Sequence, residues 1–317
     1  MRIPKIVNTY CLSRMYATAT KAKPFLKWAG GKGQLISSIH TALPGIVCSN
    51  SDLIYVEPFI GSGAVMFWFL QQFPSVKSAV ISDVNTDLIN AYAVIKAEPE
   101  NLLKILSGFH EAYYACRSNE QRLSLYLEKR DAYNFTPMDT LVRTAHFIFL
   151  NKTCFNGLYR VNSQNVFNVP FGRYIKPNIC DTRKILAVHK VLRKVTVFQG
   201  DYAQTLAYAD GNCFYYLDPP YKPISKTASF NAYANSVFDD TEQIRLRDFC
   251  NDLTGADAKW LLSNSDPKNI DPEDNFFDEL FSQENMYIDR VRAKRAINSV
   301  PSKRGEIFEL LVSNYEK

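Results

Sequence analysis

The run Cys213-Phe214-Tyr215-Tyr216-Leu217 and its continuation, Asp218-Pro219-Pro220-Tyr221, constrain this chain more than any other stretch. Five consecutive apolar residues, too few for a helix and followed by turn formers, read as a strand buried on both faces, as in a parallel sheet. Two prolines then end the strand, because neither can donate to a ladder. A carboxylate is left at the carboxyl end of an inner strand, which in an open α/β sheet is the edge where ligands bind.

Asp, Pro, Pro and Tyr in that order suit one kind of chemistry. An exocyclic amine conjugated to an aromatic base is a poor nucleophile, because its lone pair is delocalised into the ring. The Asp218 carboxylate and the Pro219 carbonyl can each accept one N–H of such an amine, favouring a pyramidal nitrogen with its lone pair free. Tyr221 can then stack on the base, and the proline rings keep the carbonyls aimed. A plain strand end with a Pro-Pro turn explains the same four residues equally well. The rest of the chain decides.

Leu53–Pro58 reads as a strand that runs into Phe59-Ile60-Gly61-Ser62-Gly63 and then a helix over Ala64–Gln72. A strand, a Gly-x-Gly turn and a helix make the first β–α unit of a nucleotide-binding sheet. The third glycine of the dinucleotide fingerprint falls at Met66, which argues against a nicotinamide enzyme. A second strand, Ser78–Ile81, ends at Ser82-Asp83, where such folds place an acid on ribose hydroxyls; Asp83 reads alternatively as the cap of a helix near Asp87–Lys96. Upstream, Pro24-Phe25-Leu26-Lys27-Trp28-Ala29-Gly30-Gly31-Lys32 precedes a helix-like segment, Gly33 to Thr41. Its paired glycines let backbone approach a ligand, and Trp28 offers a flat face to an adenine.

Residues 99–150 read as mostly helical, with Leu102, Leu103, Ile105, Leu106, Leu123, Leu125 and Leu127 as core faces. Asn156–Tyr174 has no hydrophobic period and is rich in Asn, Gly and aromatics, which marks a functional loop. Strands resume at Val195–Gln199, ending in Gly200-Asp201-Tyr202, and at Trp260–Ser265. A helix is expected over Glu242–Asn251, and two antiparallel strands over Asn285–Val291 and Ile307–Ser313. Ser225–Phe238 reads as a mobile loop.

Charge is distributed unevenly. From Arg143 to Gly200 there are ten Lys or Arg against one acid, and from Arg290 to Arg304 six against none, although the whole chain nets only +5. Basic clusters interleaved with Asn, Tyr and Phe suit a polyanion, through phosphate and base contacts together; a single cluster would pass for a solvated face. Seven scattered cysteines without a C-x-x-C spacing argue against a disulfide framework and a zinc site. No apolar run approaches the ~18 residues of a membrane span. Residues 1–23 carry five basic residues and no acid. They read as a disordered tail, with a start at Met15 or a faint presequence character as alternatives.

Taken together, the Phe25–Lys32 segment, Glu57-Pro58-Phe59-Ile60-Gly61-Ser62-Gly63, Phe155-Asn156-Gly157-Leu158-Tyr159-Arg160, Phe167–Tyr174 and Asp218–Tyr221 resemble the Dam family of S-adenosylmethionine-dependent adenine-N6 DNA methyltransferases, over about residues 24 to 315. The resemblance implies an α/β, Rossmann-like methyltransferase sheet with a mostly helical DNA-recognition insertion. It assigns 24–98 and 195–317 to the catalytic domain and 99–194 to target recognition. Asp218, Pro219 and Tyr221 would be catalytic. Trp28, Ala29, Lys32, Phe59, Gly61, Gly63, Asp83, Asp201, Tyr202 and Asp218 would bind S-adenosylmethionine, which leaves as S-adenosylhomocysteine, without a metal. Lys27, Phe155, Asn156, Leu158, Arg160, Asn162, Pro170, Arg173 and Tyr174 would meet double-stranded DNA, with Arg160 and Lys27 reading guanine and Phe155 and Leu158 filling the helix as the adenine leaves. A GAT core is implied, with GATC the specific expectation; Ser163-Gln164-Asn165 departs from the basic or Gly-containing turn frequent in relatives. A monomeric, cytoplasmic, DNA-associated enzyme follows, in the restriction-modification or regulatory setting of such enzymes. An RNA-adenine or cytosine-N4 methyltransferase and a catalytically inactive repressor are the rival readings.

Overall fold

The computed structural model describes residues 20–221, 238–294 and 306–316. Most of the N-terminal extension, most of the Ser225–Phe238 loop and the tip of the basic turn after Arg292 lie outside the described residues. Seven strands, β1 Ile54–Glu57, β2 Ser78–Asp83, β3 Val195–Gln199, β4 Cys213–Leu217, β5 Lys259–Ser265, β6 Tyr287–Lys294 and β7 Glu306–Ser313, form one sheet in the order β3-β2-β1-β4-β5-β7-β6. The first five are mutually parallel. β7 lies antiparallel between β5 and β6. The sheet is thus doubly wound and Rossmann-like. The chain moves outward from β1 through β2 to β3 and then returns to β4 on the other side of β1, so the strand order reverses between β1 and β4. That switch point opens a crevice at the strands' carboxyl ends, and Glu57 and Asp218 stand at its two sides.

Alternation along β4 shows why the sheet is buried on both faces. Phe214 and Tyr216 enter one core with Tyr55, Ala79, Ile81 and Leu261. Cys213, Tyr215 and Leu217 enter the other with Val56, Val80 and Leu262. Every β4 side chain is buried, and each large one contributes roughly 1.5–3 kcal/mol by leaving water. The first face is covered by α3 (Ala64–Gln72), α4 (Thr86–Ala97) and α8 (Thr182–Leu192), and the second by α9 (Asp240–Gly255) and α10 (Phe276–Leu280). The short α1 (Ile36–Thr41) and α2 (Ile46–Ser49) precede β1.

Between α4 and α8 the chain builds α5 (Pro99–Ala115), α6 (Asn119–Phe135) and α7 (Thr140–Thr153). Ser118, Asp139 and Asp181 cap α6, α7 and α8 with side-chain oxygens. Leu102 and Leu106 are buried as expected; on α6, Leu125 and Leu127 are half-buried against the core as expected, but Leu123 is exposed, and the fully buried residues of that helix are Tyr126 and Tyr133. Two other expectations are corrected. Gly33 to Thr41 is a 3-10 turn over Lys32–Gln34 followed by α1, rather than one helix. The α4 cap is Asn85, which accepts from the Leu88 N–H, rather than Asp83. Among the described residues no helix is long and apolar enough to cross a membrane.

Candidate active site

A cavity of about 570 Å³ opens at the switch point, and Trp28, Lys32, Phe59, Asp83, Asp218 and Tyr221 line it. Ala29, Gly61, Asp201, Tyr202 and Pro219 complete the expected set around the same space. Gly63 does not line it. That residue caps α3 with a left-handed backbone, φ 71°, and an added Cβ would stand 2.6 Å from the Tyr92 hydroxyl. Its glycine is needed for the turn and its packing.

At one end stands Asp218, where the Pro-Pro turn releases it from β4. Lys32 Nζ lies 2.7 Å from Asp218 Oδ1, the Ser263 hydroxyl donates to the same oxygen at 3.2 Å, and Tyr216 shares a hydrogen bond with Ser263. Lys32 also donates to the Gly30 carbonyl and lies 4.3 Å over the Tyr221 ring centroid. Burial pushes the Asp218 carboxyl up to about 6, while the Lys32 ammonium pulls against that rise. Tyr221 donates its hydroxyl hydrogen to Glu309 on β7. Beside them Glu57, at the end of β1, is buried and accepts from the Tyr55 hydroxyl at 2.6 Å. Burial drives its pKa well up, favouring the neutral acid, although the Tyr55 bond opposes this.

At the other end Asp83 closes β2. Its Oδ1 accepts from the Asn85 N–H and its Oδ2 from the Gly61 N–H at 3.3 Å. Burial raises its pKa despite those donors. Gly61 itself has φ 45°, and a Cβ there would meet the Trp28 ring at 3.2 Å. Phe59 and Tyr202 pack with ring centroids 5.1 Å apart and form an apolar wall. Asp201 stands at the rim, and although burial works against it, the bidentate Arg245 guanidinium holds its carboxyl below the usual range. Trp28 departs from expectation in one respect. One face of its ring is stacked on Tyr159 of the insertion, 5.5 Å between centroids and 24° apart, so that face is not offered to a ligand.

Tyr159 begins the second part of the site. Asn156–Tyr174 is not an open loop: bridges pair Cys154 with Phe171 and Val161 with Phe167. Asn134 of α6 bonds both the N–H and the carbonyl of Phe167, and the Tyr126 hydroxyl donates to the Val169 carbonyl. Asn156, Asn165 and Arg173 all adopt positive φ, a conformation that costs a non-glycine residue energy unless its surroundings hold it. On this platform Phe155 is 50% and Leu158 42% exposed. Arg173 is exposed, and Pro170 supplies its carbonyl to the Phe155 N–H. The Asn162 side chain is occupied as a turn former, accepting from Gln164 and Val166. The Arg160 guanidinium clasps Asn168 through the side chain at 2.6 Å and the backbone carbonyl at 3.1 Å. Lys27 lies over the Tyr174 ring at 4.6 Å. Its backbone is tied by Asn151, which also reaches Gly157, so the strap beside the cavity and the loop share one anchor.

Ser263, Tyr216, Glu57, Glu309 and Arg245 were not singled out as site residues from sequence. A polar residue inside an apolar strand run is the signal that points to Ser263 in Trp260–Ser265 and to Glu309 in Ile307–Ser313, since such groups are costly to bury without a partner; Arg245, exposed on α9, carries no such signal.

The model of the D12 class of N6 adenine-specific DNA methyltransferases matches residues 28–297. The type II methyltransferase M.MjaIII of Methanocaldococcus jannaschii is 43% identical over 93% of this chain and 100% of its own length. The type II methyltransferase M1.LlaDCHI of Lactococcus lactis subsp. cremoris is 35% identical, covering 92% of this chain and 95% of its own. The DNA adenine methylase of Haemophilus influenzae is 32% identical over 92% and 93%. With the acid, the prolines and the glycine turn gathered at one crevice, and these matches running almost end to end, this chain belongs to the D12 class of N6 adenine-specific DNA methyltransferases.

Proposed function

We propose that the protein transfers the methyl group of S-adenosylmethionine to N6 of an adenine flipped out of duplex DNA, within GATC. The observation that carries this reading is the position of Asp218, held by Lys32 and Ser263 and flanked by Tyr221, in one cavity with Asp83 and Phe59.

The residues present fit such a cofactor. The cavity has the volume of a small-ligand site. The Asp83 carboxylate suits ribose hydroxyls, Phe59 and Tyr202 suit an adenine, and the left-handed Gly61 lets backbone come close. When bound, S-adenosylmethionine supplies a methyl already activated by the sulfonium charge. The chain does the rest by positioning. Asp218 and the Pro219 carbonyl accept the two N–H groups of the amine and free its lone pair, and Tyr221 holds the plane of the base. Fixing both reactants in attack geometry supplies much of the rate gain. As the new N–C bond forms, nitrogen sheds one proton, and Asp218, with a pKa near 6, can take it. The base must leave the stack because N6 is otherwise out of reach, at a cost of a few kcal/mol.

Residues 99–194 are assigned to target recognition, with α8 returning the chain to the sheet. Phe155 and Leu158 would fill the gap left by the adenine, as apolar wedges do. Arg160 and Lys27 would read guanine, a bidentate arginine being worth about 1–3 kcal/mol of discrimination, and Arg173 would hold phosphate. For Arg160 this requires its clasp on Asn168 to be exchanged for the base. The test is transfer of labelled methyl to otherwise identical duplexes carrying GATC or GTTC. N6-methyladenine in the GATC duplex alone is expected. Equal labelling of other GAT-containing duplexes would remove the GATC assignment, and no product with any DNA would remove the reaction.

A further inference from the structure

We infer that Glu309 is a positioning residue for methyl transfer, fixing the Tyr221 ring at the angle on which the target base stacks. The inference rests on the reading of Tyr221 as the stacking platform. Nothing in the Asp-Pro-Pro-Tyr motif itself fixes that ring: the turn sets the backbone, but a tyrosine still rotates about two side-chain bonds. In the structure the ring is held from two sides. Its hydroxyl donates to Glu309 Oε2, and the Lys32 ammonium lies over its face at 4.3 Å.

The topology explains how a residue so near the chain's end reaches the motif. β7 runs antiparallel to β5, so its early residues lie beside β5's carboxyl end, and Glu309 pairs with Ser265. Along β7, Ile307 and Leu311 pack in the core that contains Tyr216 and Leu261, whereas Leu310 and Val312 pack in the opposite one. Glu309 therefore points to the Tyr216 side, where Ser263 holds Asp218. An acid in Ile307-Phe308-Glu309-Leu310-Leu311-Val312 that faces inward and is half-buried needs a partner, since acids are seldom taken out of water unless paired. Asp218 and Tyr221 are thereby each held by a neighbouring strand, Asp218 through Ser263 on β5 and Tyr221 through Glu309 on β7. A hydrogen bond to a charged acceptor is among the stronger neutral-donor contacts, and it restricts the ring without touching the base.

The test is a double-mutant cycle on the full chain with a GATC duplex, reading kcat/KM for DNA, kcat, and S-adenosylmethionine affinity for Glu309→Ala, Glu309→Gln, Tyr221→Phe and the Glu309→Ala/Tyr221→Phe pair. Tyr221→Phe keeps the ring and removes only the tether. We expect Glu309→Ala and Tyr221→Phe each to lower kcat/KM for DNA about tenfold with cofactor affinity unchanged, the scale of one charged hydrogen bond. Glu309→Gln, which still accepts from the hydroxyl, should recover most of the loss, and the pair should be no worse than the poorer single variant. Losses that multiply to about a hundredfold, or a wild-type Glu309→Ala enzyme, would overturn the inference. Tyr221→Ala separates the two claims: if it too is unimpaired, the stacking role of Tyr221 fails, whereas if it is severely impaired beside a normal Glu309→Ala, only the tether fails.

Discussion

The cavity at the strand ends and the platform at 154–174 solve opposite problems. In the cavity, ionisable groups are taken out of water: the Lys32 ammonium is buried against Asp218, itself only 18% exposed, beside a buried Glu57 that burial drives towards the neutral acid. On the platform, apolar groups are put into water: Phe155 and Leu158 stand out from a backbone strained at three non-glycine residues. Buried charges are expensive, and these are kept by pairing and by hydrogen bonds from the sheet. Exposed apolar groups on a rigid support mark a surface meant to be covered. The first arrangement suits chemistry on a small group and the second suits insertion into a large ligand. Trp28 and Tyr159, stacked across the boundary, join the two.

If the division is real, variants on the two sides should fail in different ways. Asp218→Ala should lower methyl transfer by on the order of a thousandfold, the scale of removing an aimed electrostatic partner, while the DNA dissociation constant stays near wild type; turnover at more than a tenth of the wild-type rate would break the comparison at its strongest point. Arg160→Ala should cost roughly 10- to 100-fold in discrimination at one base pair. A uniform affinity loss across all sequences would assign Arg160 to phosphate instead, and Asn168→Ala, which removes its clasp, shows whether the effect is one of loop shape. Phe155→Ala with Leu158→Ala should weaken binding to the GATC duplex about tenfold, with the melting temperature of the free protein within about 1 °C of wild type, because exposed apolar groups contribute little to folding. Loss of thermal stability would show that they are core.

A smaller effect lies in pH. Asp218 has to be ionised to accept from the amine, and its pKa is raised to about 6, so the single-turnover rate should fall as pH drops through 6 and be flat above about 7. Lys32 favours the charged form, so Lys32→Met should move that inflection upward; a downward move would mean that the pair does not tune Asp218. DNA affinity of the platform should not share the inflection.

The same contrast decides what was legible in the sequence. Asp83, Asp201 and Asp218 could be placed because each follows an apolar run that reads as a strand, and strand ends in a parallel sheet converge at one edge. The pairing around Asp218 could not be read: Lys32 was expected in the same pocket but not as its ion-pair partner, and only the register of β4 with β5 brings Ser263 beside it. The platform has no period to read, since its order comes from Asn134 and Tyr126 on a helix far earlier in the chain. Glu309 shows the remaining failure. It was assigned correctly to a strand, but the acid's inward direction depends on β7 inserting between β5 and β6, which periodicity alone does not specify.

The measurement that tests this account most directly is fluorescence of a GATC duplex with 2-aminopurine at the target adenine, mixed with wild-type protein and with Asp218→Ala. If the platform extracts the base and the cavity only receives and methylates it, fluorescence should rise equally with both proteins, and the rise should be reduced in the Phe155→Ala/Leu158→Ala protein. No rise with wild type, or a rise that disappears with Asp218→Ala while the Phe155 and Leu158 changes leave it intact, would contradict the division between the two regions.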